Sequence, residues 1–157
     1  MYFHYSGICK ECEKHHYFDM ITDRVAIGSC QASYDSFDLV INLDYSFNGV
    51  KRNEVVMNVE NNIHVIRCGY SDSAFEVTSE KIEALLNMIS DIERTHDKPI
   101  RILFHCYAGV SRSATFAIAY LASKENKSTV EIYEHAKQKR PRIDPNFHFR
   151  TLLGLPE

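Results

Sequence analysis

The sequence is poor in features that would take it out of an ordinary globular class. Proline and glycine are scarce, at 4 and 6 of 157 residues, and nowhere gather into a linker. There is no internal repeat and no low-complexity tract, so a repeat array is not expected. No apolar run reaches the length of a membrane span. The opening stretch, MYFHYSGICKECEKHH, lacks a basic region followed by an apolar one, and its second residue is not glycine. Neither a secretory signal nor myristoylation is therefore expected. Positive charge is not in excess: 18 Lys and Arg stand against 21 Asp and Glu, a formal net charge of −3. That balance argues against general nucleic-acid binding, which needs a large, clustered basic excess. The 5 cysteines are odd in number and irregularly spaced, which fits a reducing compartment better than a disulfide framework. A cytoplasmic or nuclear setting is expected.

What is present suits one domain around one core. Hydrophobic residues make up 45% and charged residues 25% of the chain. Residues 1–20 are aromatic- and His-rich without a clean period, and read as an extension that belongs to or packs on a domain at 21–157. Strands are expected at 24–27, 38–42, 55–59, 63–68 and 100–104, with a turn at Glu60-Asn61-Asn62. A helix is expected at 79–95, where Ile82, Leu85, Leu86, Ile89 and Ile92 recur at helical spacing. A second, at 111–125, is apolar on nearly all sides and should be buried. Ser128-Thr129-Val130-Glu131 is a capping box that opens a third helix, ended by Pro141. A last short helix is expected at 146–153. The alternation predicts an α/β fold: a central, mostly parallel sheet of about five strands flanked by helices.

Residues 105–115, HCYAGVSRSAT, carry the chemistry. Cys106 and Arg112 stand at the two ends of a small-residue loop between the last predicted strand and the apolar helix. Five intervening residues let the backbone curl so that successive N–H groups face inward. Such a nest, leading into a helix N-terminus, is an anion site. Gly109 supplies the backbone freedom the curl needs. The Arg112 fork can grip two oxygens of a tetrahedral dianion, and the same dipoles favour a thiolate at Cys106. Ser113 is placed to hydrogen-bond the sulfur, and His105 to steady the loop through its ring nitrogens. An isolated cysteine is most often a small buried hydrophobe. Here Cys, Gly, Ser, Arg and Ser all fall at useful positions between a strand and a helix, which favours the functional reading.

The loop matches the HCxxGxSRS pattern and resembles the dual-specificity branch of the cysteine-based protein phosphatases. Residues 21–29 with Ala32 and Ser33, residues 40–43, and the Arg140-Pro141-Arg142-Ile143-Asp144-Pro145-Asn146 stretch with Phe149 resemble further segments of that family. The likeness runs from about Ile21 to Leu153 and is closest to small, catalytic-domain-only members and to mitogen-activated-kinase phosphatases without their N-terminal docking domain. It implies a two-step, metal-independent reaction with no cofactor. Cys106 takes the phosphoryl group, Arg112 and the amides of Tyr107, Ala108, Gly109, Val110 and Ser111 bind it, and an aspartate serves as acid and then base. The family carries that aspartate on a loop corresponding to residues 69–74, where Asp72 is the only one; Glu76 and Asp44 are the reserves.

The loop interior has no lysine, which disfavours a highly charged inositol headgroup. Phosphotyrosine and phosphoserine or phosphothreonine in proteins are the expected substrates, with protein kinases among candidate partners and neither nucleic acid nor membrane. The alternatives are the same chemistry on an RNA 5′ end, lipid or glycan phosphate, or a non-catalytic phospho-binding module. Tyr107 either shapes the pocket rim or packs on the outer side of the loop. Cys9-x-x-Cys12 with His15 and His16 resembles half a zinc site, but no second CxxC exists to complete it. Cys68, ahead of Cys30, is the candidate for a disulfide with Cys106, against a default of simple burial. Lys137, Lys139, Arg140 and Arg142 read as a solvated basic cluster at a helix end. Asn42 and Asn146 are candidate supports for the active-site loops.

Overall fold

Three short apolar strands form the centre of the molecule in a computed structural model that describes residues 17–73 and 75–156. They are β2 (Val25–Gly28), β3 (Leu39–Asn42) and β6 (Ile102–His105), and every residue in them is buried. Such unbroken apolar runs are what parallel strands covered on both faces require. The remaining strands are β1 (Phe18–Met20), β4 (Val55–Glu60) and β5 (Ile63–Cys68). The sheet has six strands in the order β1-β2-β6-β3-β5-β4. β2, β6, β3 and β5 run parallel, while β1 and β4 are antiparallel edges. The sixth strand corrects the expected five. Phe18–Met20 is three half-buried residues, too short to show a period, and it becomes a strand only by pairing with β2. Cys9, Cys12, His15 and His16 lie outside the described residues.

The β4–β5 turn is made by Asn61 and Asn62, both left-handed, with φ of 52° and 66°. Two such residues form the hairpin turn whose twist matches the strands it joins, and asparagine tolerates it best after glycine.

The helices are α1 (Ser79–Glu93), α2 (Arg112–Glu125), α3 (Thr129–Lys139) and α4 (Phe147–Leu153). Side chains cap three of them: Thr78 accepts from the Lys81 amide, Ser128 from Glu131 and Asn146 from Phe149. All four contribute to one large apolar cluster with Val25, Ile27, Leu39, Ile41, Ile102 and Phe104. The alternate strand residues Ala26, Val40 and Leu103 join a smaller cluster with Phe37 on the other face. Phe104 is fully buried and its ring lies 5.8 Å from that of Tyr120. Phe104→Ala is expected to cost about 3–5 kcal/mol in a urea melt, through lost transfer energy and the cavity left behind.

The register fixes where chemistry can occur. Gly28 and Asn42, at the C-terminal ends of β2 and β3, both pair with His105 at the end of β6. Three parallel strands thus end side by side, and the chain leaving the middle one carries Cys106. Crevices beyond such strand ends are the usual ligand sites of open α/β sheets.

Candidate active site

The segment Cys106 to Ser111 curls between β6 and α2 with its carbonyls turned outward. The Tyr107 carbonyl accepts from the Cys30 amide at 3.2 Å, and that of Val110 from the Asp144 amide at 2.8 Å. Arg140 takes those of Ala108 and Gly109 at 3.2 and 2.8 Å. The Ser111 carbonyl accepts from Thr115. By contrast, the amides of Ala108, Gly109, Val110 and Ser111 donate to no group among the described residues. Consecutive N–H groups left to the inside of a curl make a concave positive site for an anion. Gly109 has φ of +70°, and a Cβ there would stand 2.7 Å from the Gly28 backbone, so both conformation and space demand glycine.

Arg112 opens α2 and is 92% buried by its 8% exposure. One terminal nitrogen, Nη1, donates to the Leu43 carbonyl at 2.9 Å and the Tyr70 carbonyl at 3.2 Å. The segments after β3 and β5 thereby hold the guanidinium in place. Its Nε is buried with no partner among the described residues, an uncommon state for a charged donor and one an anion oxygen would relieve. The Cys106 sulfur lies 3.2 Å from the hydroxyl of fully buried Ser113, the second residue of the same helix.

Behind the loop, His105 is buried between Tyr34 and the backbone. Its Nδ1 faces the Cys106 carbonyl at 3.4 Å, and its Nε2 the Tyr34 hydroxyl at 2.6 Å. A carbonyl only accepts, so Nδ1 carries the proton and Nε2 accepts from Tyr34. The Tyr34 oxygen in turn accepts from Asn42 Nδ2 at 3.2 Å. Burial pushes His105 down to about 4, against which its backbone hydrogen bond acts. The imidazole is therefore neutral at physiological pH. In the unfolded chain it titrates near about 6.5, so the unfolded state binds the extra proton first as pH falls. The stability this group confers is complete above that value and is lost between about 6.5 and about 4. Its share is about 3 kcal/mol. Urea titrations from pH 7.5 to 4 should show this slope in the native protein and a shallower one in His105→Asn.

Asp72 is exposed on the loop after β5. Its carbonyl accepts from Asn146 Nδ2, and the Asn146 amide donates to Ser111 Oγ at 3.0 Å. One asparagine thus ties the Asp72 loop to the cysteine loop. Of the reserves, Glu76 is engaged with Arg52 at 3.1 Å, and that cation holds its carboxyl low, after a bond to its own backbone. Asp44 is buried, with Oδ1 unpartnered among the described residues; burial raises its carboxyl, and the nearby Arg112 charge and then a hydrogen bond with Cys30 oppose that. Tyr107 is half exposed and stacks on exposed Phe47, with ring centroids 6.0 Å apart. Cys68 is fully buried, its thiol pushed up to about 12 by burial. That leaves it a poor partner for exchange, because exchange needs a thiolate. Cys30 is the cysteine beside the loop, its sulfur 2.9 Å from the Tyr107 carbonyl.

The basic cluster at the end of α3 needs correcting. Lys139 and Arg142 are exposed, but Arg140 is only 4% exposed and pairs with Asp19 at 2.8 Å. Arg140, Tyr34 and Phe47 went unrecognised in the sequence because their partners are distant along the chain. The one available signal was Arg140's place in the RPxIxPN stretch.

Comparison with known proteins places the chain in a family. Residues 22–155 match the model of the dual specificity phosphatase catalytic domain, and the chain belongs to that family. Human dual specificity protein phosphatase 16 is 42% identical over 87 residues, covering 55% of this chain and 12% of that protein. The chain thus spans about an eighth of that relative's length. Among solved structures, a mouse putative dual specificity phosphatase complexed with zinc tungstate superposes with a TM-score of 0.71 at 20% identity, covering 88% of this chain and 85% of that one. Human DUSP28 does so at 0.70 and 19%, covering 88% and 90%. At these identities the structures speak for the fold alone.

Proposed function

We propose that this protein hydrolyses phosphate monoesters on protein side chains, phosphotyrosine as well as phosphoserine or phosphothreonine, through a phosphocysteine. The observation that carries this reading is the loop from Cys106 to Arg112. Its carbonyls are bonded outward, four successive amides are left inward, and a buried guanidinium nitrogen waits beside them.

The Cys106 thiolate attacks phosphorus as the ester P–O bond breaks. The Ala108 to Ser111 amides and Arg112 share the charge on the remaining phosphoryl oxygens. Asp72 gives its proton to the leaving oxygen. In the second step Asp72 takes a proton from water, the hydroxide displaces sulfur from phosphorus, and inorganic phosphate leaves. The Ser113 hydroxyl donates to the departing thiolate. Neutral His105 takes no proton in this scheme and serves to hold the Cys106 carbonyl.

Protein substrates are favoured because the loop interior carries no lysine to meet further phosphates on an inositol ring. Phosphoproteins, protein kinases among them, are the proposed partners. A reducing setting in cytoplasm or nucleus would keep the nucleophile free. The test is a panel of phosphotyrosyl and phosphothreonyl peptides, 5′-triphosphate RNA and phosphoinositides, assayed with a chelator present. Both peptide classes are expected to turn over. A strong preference for a non-protein substrate would overturn the substrate assignment, and activity abolished by the chelator would overturn the mechanism.

A further inference from the structure

Arg140 has no part in the reaction just described, yet its side chain bonds two successive carbonyls of the phosphate loop. It follows α3 directly, caps that helix through its amide, and is almost fully buried. Its planar fork is used on both sides. Nε donates to the Gly109 carbonyl at 2.8 Å, Nη2 to the Ala108 carbonyl at 3.2 Å, and Nη1 to Asp19 Oδ2 at 2.8 Å. Asp19 belongs to β1, the edge strand, so the ion pair links the start of the described fold to its catalytic end.

The geometry has a direct consequence. In a trans peptide unit the C=O of one residue and the N–H of the next point opposite ways. Holding the Ala108 carbonyl outward therefore turns the Gly109 amide inward, and holding that of Gly109 turns in the Val110 amide. Both amides are among those facing no described group. The loop's left-handed glycine is flexible by nature, so its orientation needs an external hold.

We infer that Arg140, itself held by Asp19, is a positioning residue that sets the inward direction of the Gly109 and Val110 amides and so builds the anion site. The inference rests on the reading of the loop as a phosphoryl site. Arginine suits the task, because its rigid fork reaches two adjacent carbonyls and a carboxylate at once, whereas a lysine offers a single point charge. Burial disfavours charge on Arg140 and outweighs the support it draws from the hydrogen bond and charge of Asp19; Arg142 opposes the charge further, and a negative Cys106 favours it. Arg112 on α2 and Asp44 after β3 are further charged groups at this end of the sheet, and His105 is neutral.

Arg140→Lys and Asp19→Asn test this. The readouts are inhibition by orthovanadate and the pH dependence of Cys106 alkylation by iodoacetamide, with the melting temperature recorded as a fold control. Arg140→Lys is expected to weaken vanadate binding about tenfold or more, since it loses paired charge-assisted bonds. It should also move the alkylation midpoint to higher pH while remaining folded. Asp19→Asn, which keeps Arg140 but removes its anchor, should move both in the same direction by less. A folded Arg140→Lys with native vanadate inhibition and a native alkylation midpoint overturns the inference, because a purely structural role changes only the melting temperature. If Arg140→Lys does not fold, Asp19→Asn decides by the same two readouts. A native protein that hydrolyses no phosphate monoester would defeat the phosphatase reading instead, and the alkylation comparison would still judge Arg140.

Discussion

Cys106→Ser is expected to lower turnover of p-nitrophenyl phosphate by at least ~10⁴-fold, the scale on which removal of a covalent nucleophile acts. The substitution is nearly isosteric. It leaves the loop carbonyls, the inward amides and the Arg112 contacts to Leu43 and Tyr70 in place. Only the attacking atom changes. Among the described residues the side chain bonded to the sulfur is Ser113, whose Oγ lies 3.2 Å away and is no base, and His105 Nε2 is committed to Tyr34. The variant should therefore bind a phosphotyrosyl peptide with native affinity while failing to cleave it. Measured by calorimetry, retained binding with lost turnover separates a nucleophile from a structural cysteine. Activity that survives the change would remove Cys106 from the mechanism.

The second large effect is expected at Asp72. Asp72→Asn should reduce kcat on a phosphotyrosyl peptide by roughly 10²–10⁴-fold, the usual worth of general acid–base catalysis. The effect should be smaller on p-nitrophenyl phosphate, whose leaving group departs with little help. The pH profile carries the sign. Attack requires an ionised sulfur, which sets the acidic limb, and protonation of the leaving oxygen requires a protonated acid, which sets the alkaline limb. Removing the acid should flatten the alkaline limb and spare the acidic one. An unchanged profile would reassign the proton donor, and the structure ranks the replacements. Asp44 is buried, has an oxygen unpartnered among the described residues and feels the Arg112 charge, whereas Glu76 is tied to Arg52. The placement of Asp72 suits the role. It is exposed, on a loop anchored to the cysteine loop through Asn146.

Much of the site was legible because its signals are local. The spacing of Cys106, Gly109, Arg112 and Ser113 is enclosed in one strand–loop–helix unit, so register along the chain is also proximity in space. The same holds for the Ser128 cap, for the apolar face of α1 at Ile82, Leu85 and Ile89, and for the turn at Asn61 and Asn62. Backbone sterics and hydrophobic periodicity act over a few residues, and a sequence records them directly.

What escaped is equally physical. Arg140 and Asp19 are 121 positions apart, Tyr34 and His105 71 apart, and Asn146 meets Asp72 across 74. No periodicity links such pairs. They meet because the parallel order β2-β6-β3 brings Gly28, His105 and Asn42 side by side, and everything attached to those ends follows. A lysine- and arginine-rich helix end looks solvated in sequence whether or not one of its guanidiniums is buried under a neighbouring loop. The chain's linear order thus specified the residues on which the proposed chemistry rests, a cysteine and an arginine at the two ends of a curled loop. The packing of distant segments settled which way that loop's amides point, since their direction is set by partners the loop does not itself contain.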